Sequence, residues 1–86
     1  MSNIHSDIKK TYRTANLPII ALLIVEGIPY LEIESSGSRR VFFHFQNVPK
    51  CVAIEKQYYE NKIEVLAKDY NDALEKAKDL IFQKKG

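Results

Sequence analysis

The sequence predicts an α+β domain: a small antiparallel sheet built on a central hairpin at about 30–46 and packed by about three helices, in the order β-α-β-β-α-β-α. Three observations carry this. Residues 30–34 and 39–46 alternate apolar and polar side chains on either side of a Ser/Gly turn. The run Leu17–Val25 is apolar throughout and is bracketed by helix caps. The C-terminal stretch repeats apolar residues at helical spacing. The 86 residues leave room for one domain, and 45% hydrophobic with 28% charged residues excludes a disordered or collagen-like chain.

The elements follow in order. Residues 1–10 show no period and are expected to fray, leaving 11–86 as the folded unit. Thr11-Tyr12-Arg13-Thr14 favours a short strand. Asn16 is a plausible N-cap, Pro18 fits a first helical turn, and a helix is expected over Leu17 to Glu26, stopped by Gly27 and Pro29. A nine-residue apolar run also suits a buried strand; the caps at both ends decide for helix.

Tyr30-Leu31-Glu32-Ile33-Glu34 alternates, with Leu31 and Ile33 on one face. Ser35-Ser36-Gly37-Ser38 is a turn, and Arg39 to Gln46 returns as a strand with Val41, Phe43 and Phe45 inward and Arg40, Phe42, His44 and Gln46 outward. Bringing both apolar sets to one side requires an odd loop or a bulge. That parity is expected to set Glu34 opposite Arg40 and Tyr30 opposite His44.

Asn47 and Pro49 open a helix from Val48 to Glu60. Ile63-Glu64-Val65 is a candidate short strand, and Asp69 is expected to cap a helix carrying Tyr70, Ala73, Leu74, Ala77 and Ile81. The expected core is Leu17, Ile20, Leu23, Ile24, Leu31, Ile33, Val41, Phe43, Phe45, Val52, Tyr59, Val65, Leu74, Ala77 and Ile81.

Charge and cysteine usage narrow the function classes. A net charge of +2 is too small to attract nucleic acid or membrane over the whole molecule. It is unevenly spread: residues 1–16 carry +2 through Lys9, Lys10 and Arg13 against Asp7, and residues 35–50 carry +3 through Arg39, Arg40 and Lys50. Residues 17–34 carry −3. Cys51 stands alone, so no internal disulfide can form, no usual Cys/His zinc site can be assembled, and a reduced cytoplasmic setting is expected. Lys9, Lys10 and Arg13 ahead of the apolar run imitate a signal peptide. The run is far shorter than the ~18 residues of a membrane span and lacks a cleavage site, so it is read as core and no membrane partner is expected.

The chain resembles a small domain of unknown function from phages, prophages and prokaryotic genomes. The matching elements are Tyr12, Thr14 and Leu17; Ala21, Leu23 and Gly27; Val41, Phe43 and Phe45; Tyr59, Asn61 and Val65; and Tyr70, Ala73, Leu74 and Lys78, together spanning about residues 12–82. Lys62 stands where the family commonly turns on Asn-Gly. The resemblance implies a compact α+β domain in a prokaryotic cell or phage-infected host, and it implies no reaction.

The search for chemistry finds no catalytic residue, metal site, cofactor or small-molecule ligand to predict. Cys51 with His44 or His5 has nothing to fix its geometry, and its place on an apolar stripe reads as a buried, inert thiol. Glu32 and Glu34 lie ~7 Å apart on one strand face and read as solvated, with Glu34 neutralised by Arg40. Residues 35–38 lack a following helix, so they form a turn and not an anion nest. A double-stranded-RNA domain is rejected, because Asp69 and Asp72 stand where its basic cluster belongs. Lys76, Lys78, Lys84 and Lys85 read as a solvated helix face.

Two binding surfaces remain. Aromatic side chains bordered by cations can stack unpaired bases. The candidate nucleic-acid surface is therefore Arg39, Arg40, Phe42, His44 and Lys50, joined by Lys9, Lys10 and Arg13 if the first strand lies alongside. Tyr58 and Tyr30 are the candidate protein-contact residues, with Tyr59 assigned to the core. The leading expectation is a non-enzymatic interaction module, an accessory of a phage or mobile element, whose partner is another protein or a second copy of itself. The alternative is nucleic-acid binding through the basic hairpin edge.

Overall fold

The computed structural model describes residues 11–37 and 40–85. The elements are β1 (Tyr12–Thr14), α1 (Leu17–Val25), β2 (Tyr30–Ser35), β3 (Val41–Phe45), α2 (Val48–Tyr59) and α3 (Ala67–Lys85). The fold is α+β, with an antiparallel sheet in the order β1-β3-β2. The expected fraying of residues 1–10 lies outside the described residues.

Helix α1 is apolar on every side because it is enclosed on every side. Ile19, Ile20, Leu22 and Leu23 are buried, packing with Phe43 and Phe45 of the sheet, Cys51 and Ile54 of α2, and Ala77 of α3. The small side chains of Ala73 and Ala77 on α3 are both buried. Asn16 caps α1 as expected, its side-chain oxygen accepting from the Ile19 amide at 3.1 Å, with Pro18 in the first turn.

Both α1 and α2 end in the same device. After α1, Gly27 takes φ +77° while its amide donates to Ile24 O and the Ile28 amide donates to Leu23 O. After α2, Asn61 takes φ +59° while its amide donates to Tyr58 O and the Lys62 amide donates to Gln57 O. This paired bonding satisfies the last carbonyls of a helix around one left-handed residue. It accounts for Lys62: the left-handed position is Asn61, and residue 62 needs no glycine.

The strand expected at Ile63–Val65 is absent. These residues run unpaired between α2 and α3; Ile63 packs against the core while Val65 is exposed. Three alternating residues with no neighbouring strand do not make a ladder. Helix α3 starts at Ala67, two residues ahead of the expected Asp69 cap. The Tyr70 amide donates to Leu66 O, and Asp69 falls inside the first turn, where its charge still suits the helix dipole.

The hairpin meets the expected parity at its turn and departs from it at a bulge. The Ser36 amide donates to Arg40 O, which puts Ile33 on the same face as Phe43 and Val41, and a bulge between Tyr30 and Glu32 reverses the faces beyond it. The register differs from the expected one by two residues. Glu34 faces Phe42, Glu32 faces His44, and past the bulge Tyr30 faces Phe45. The bulge turns Tyr30 inward, edge-on to Phe43 and Phe45 at centroid distances of 5.5 and 6.2 Å, and leaves Leu31 exposed.

Three further core assignments need correction. Val52 and Tyr59 are exposed because α2 turns Cys51, Ile54 and Tyr58 inward, a spacing of three and four residues. Val65 is exposed because its segment belongs to no sheet. Ile19, Leu22, Ile28 and Ile54 belong to the core beyond those expected.

Candidate functional site

All three helices contribute to the cluster on the Val41/Phe43/Phe45 side of the sheet. The alternate side chains build the other face, and strand pairing assembles them. β1 sets Arg13 beside His44 of β3, and β2 brings Glu34 beside Phe42. Glu34 consequently meets Arg13 and not the expected Arg40. Arg13 Nε donates to Glu34 Oε1 at 3.1 Å and Nη2 to Oε2 at 3.3 Å, a two-pronged clamp across the sheet. His44 Nε2 lies 2.7 Å from Glu34 Oε1, and His44 Nδ1 lies 2.9 Å from Thr11 Oγ1. The neutral tautomer with hydrogen on Nε2 satisfies both contacts: Nε2–H donates to the carboxylate and Nδ1 accepts from the hydroxyl.

The electrostatics follow from these bonds. The Arg13 hydrogen bonds, followed by that of His44, pull the Glu34 carboxyl from its ordinary 4.5 down to about 2. The Arg13 guanidinium carbon also lies 3.6 Å from the centre of the Phe42 ring, while that of Arg40 lies 5.8 Å away. Arg13 thus spends its charge on Glu34 and its flat face on Phe42.

The hydroxyl–imidazole–carboxylate chain Thr11–His44–Glu34 has the spacing of a relay. Three clefts lie between α1 and α3 (Ile24, Asp72, Ala73), between β2 and α3 (Leu31, Ile33, Leu80), and beside the start of β3 (Arg40, Val41, Ile81). None of these three is lined by Thr11, His44 or Glu34. Among the described residues no group of three His, Cys, Asp or Glu side chains is placed to hold a metal ion.

The remaining candidates are dispersed. Arg40 precedes β3 and Lys50 sits in the first turn of α2, so the whole of β3 separates them. Lys9, Lys10 and Arg39 lie outside the described residues, as does His5. Cys51 is buried, donates to Gln46 O at 3.3 Å, and has its thiol pushed up by burial. It makes no contact with His44. Tyr30 packs into the core. Tyr58 does the same, while its neighbour Tyr59 lies outside and accepts from Asn16 Nδ2 at 3.4 Å. Tyr12, on β1, has its hydroxyl pushed up by burial and by Glu55.

Sequence reasoning missed the cleft between β2 and the end of α3. Leu80 was legible as an apolar residue adjoining the helix stripe. Nothing in the sequence says that the bulge exposes Leu31 beside it.

The family model described as "Domain of unknown function (DUF5659)" matches residues 9–83. The chain belongs to that family. No curated protein and no solved structure matches it.

Proposed function

We propose that this member of a family of unknown function is a non-enzymatic interaction module that binds another protein. The observation that carries the reading is the Arg13 clamp. The carboxylate, the imidazole and the aromatic ring of the outer sheet face are all engaged with one another. That arrangement covers one face of the Phe42 ring with Arg13 and leaves no unpaired carboxylate on Glu34. The surface offers apolar side chains instead: Phe82 is 77% exposed, Leu66 72% and Tyr59 64%. Aromatic side chains are enriched at the centres of protein contacts. An accessory role in a phage or mobile element, in the cytoplasm, is part of this proposal and rests on the sequence resemblance. Among the described residues no helix is long and apolar enough to cross a membrane.

The test is capture from nuclease-treated lysate of the source cell with the tagged domain, beside a Leu66→Ser/Phe82→Ser variant. A discrete protein retained by the natural sequence and lost by the variant is the expected result. Equal retention by both, or recovery of nucleic acid alone from untreated lysate, contradicts the proposal.

A second reading, nucleic-acid binding, is favoured by one observation: Arg40 and Lys50 pair with no carboxylate among the described residues. It predicts that Arg13→Glu with Arg40→Glu weakens binding of labelled single-stranded RNA and lowers its salt slope. Unchanged binding removes that surface.

A further inference from the structure

We propose that the outer edge of β2 and the cleft beside α3 form a docking groove for an extended peptide that alternates basic and apolar residues. This rests on the protein-binding reading above and names the partner's chemistry.

The edge is open among the described residues. β2 is the last strand in the order β1-β3-β2. The Ser36–Arg40 pair is hydrogen-bonded, so by the antiparallel alternation Glu34–Phe42 and Glu32–His44 are bonded pairs, and Ile33 and Ser35 turn their N–H and C=O groups away from β3. Such a row of main-chain groups is recognised by another extended strand.

The side chains select which strand. Beside the edge lies a cleft of about 400 Å³ with Leu31, Glu32 and Ile33 on one wall and Leu80, Gln83 and Lys84, which makes no ion pair with Glu32, on the other. Leu31 is 49% exposed there because the bulge releases it from the sheet's core face. A residue added opposite Ile33 shares its face and points toward Leu80. The next residue, opposite Glu32, lies on the outer face. Glu34 on that face is neutralised by Arg13, whereas Glu32 has no partner among the described residues. A basic side chain satisfies it.

The same charges argue against a second copy. Two antiparallel β2 strands centred on Glu32 oppose two unpartnered glutamates, and neither copy supplies a basic side chain on β2 to satisfy them.

The experiment is selection from a displayed library of linear peptides, followed by affinity measurement of the enriched sequences. Enrichment of alternating basic and apolar residues is expected. Leu31→Asp should weaken these peptides about tenfold or more by removing an apolar wall. Glu32→Lys, at an exposed position, should weaken them about two- to fivefold and favour acidic counterparts instead. A circular dichroism melt of each variant separates lost binding from lost folding. Enriched peptides insensitive to both substitutions overturn the groove while leaving the protein-binding reading in place. A library without binders, together with salt-resistant RNA binding, overturns both. A mass near twice 9.9 kDa by light scattering, returning to monomer in Glu32→Lys or Leu31→Asp, overturns the peptide in favour of a second copy.

Discussion

Glu34 receives three donors from two neighbouring strands: two from Arg13 and one from His44. Its carboxyl titrates at about 2, well below its ordinary 4.5, so the folded chain keeps it ionised where the unfolded chain protonates it. The linkage fixes the sign. The network's contribution to stability is complete above about 4.5, declines as pH falls, and is gone below about 2. Carbon-detected titration of the Glu34 carboxyl should show that low midpoint, and Glu34→Gln should flatten the acid limb of the stability curve. A midpoint at the ordinary value would contradict the clamp. The residues of this network were all visible in the sequence as polar members of alternating strands. Their partnership was not, because it depends on β1 lying against β3 and on the register that pairs Ser36 with Arg40. Likewise, Tyr58 and Tyr59 are chemically equivalent neighbours, and only the phase set by Cys51 and Ile54 decides which one is buried.

At the scale of elements, the helix ends were the most legible features because capping is local chemistry. Asn16, Pro18, Gly27, Asn47 and Pro49 each announce a boundary within one turn of its observed place. The left-handed residues that end α1 and α2, Gly27 and Asn61, predict opposite responses. A methyl group at Gly27 meets nothing within 4 Å, so Gly27→Ala costs only backbone strain, about 1–2 kcal/mol. Asn61→Gly relieves a non-glycine residue of φ +59° and should gain up to about 1 kcal/mol. Chemical denaturation of both variants checks the pair; a loss on Asn61→Gly would contradict the shared cap geometry. In α1, Leu23→Ala opens a cavity in a site enclosed on all sides and should cost about 2–5 kcal/mol by the same measurement. The third candidate strand failed because alternation over three residues says nothing about whether a partner strand is near. The parity requirement was legible as an odd loop or a bulge, and the Ser36–Arg40 register alone meets it; the additional bulge between Tyr30 and Glu32 was not legible, and with it went the assignments of Tyr30 and Leu31.

At the scale of the whole molecule, the sheet divides the protein into a helix-packed side and an outer side stitched from β1 to β2 by Arg13, His44 and Glu34. On the stitched face Arg13, His44, Glu34 and Phe42 are taken up by their own contacts while Glu32 is not, and the β2 edge beside α3 is where main-chain groups and an apolar wall are both available. The α+β class was legible from periodicity alone. The groove was not, since it arises where a bulge, a sheet edge and the end of α3 meet, and these are distant in sequence. The most direct test is an amide correlation spectrum of the labelled domain at physiological salt, titrated in parallel with an alternating Lys/Val peptide and with single-stranded RNA. The account predicts peptide-induced shifts at Tyr30–Ser35 and Leu80–Lys84, centred on the Ile33 and Ser35 amides, with RNA leaving the spectrum unchanged. Shifts centred on Arg13, Arg40 and Phe42 under RNA, with none under the peptide, would contradict it.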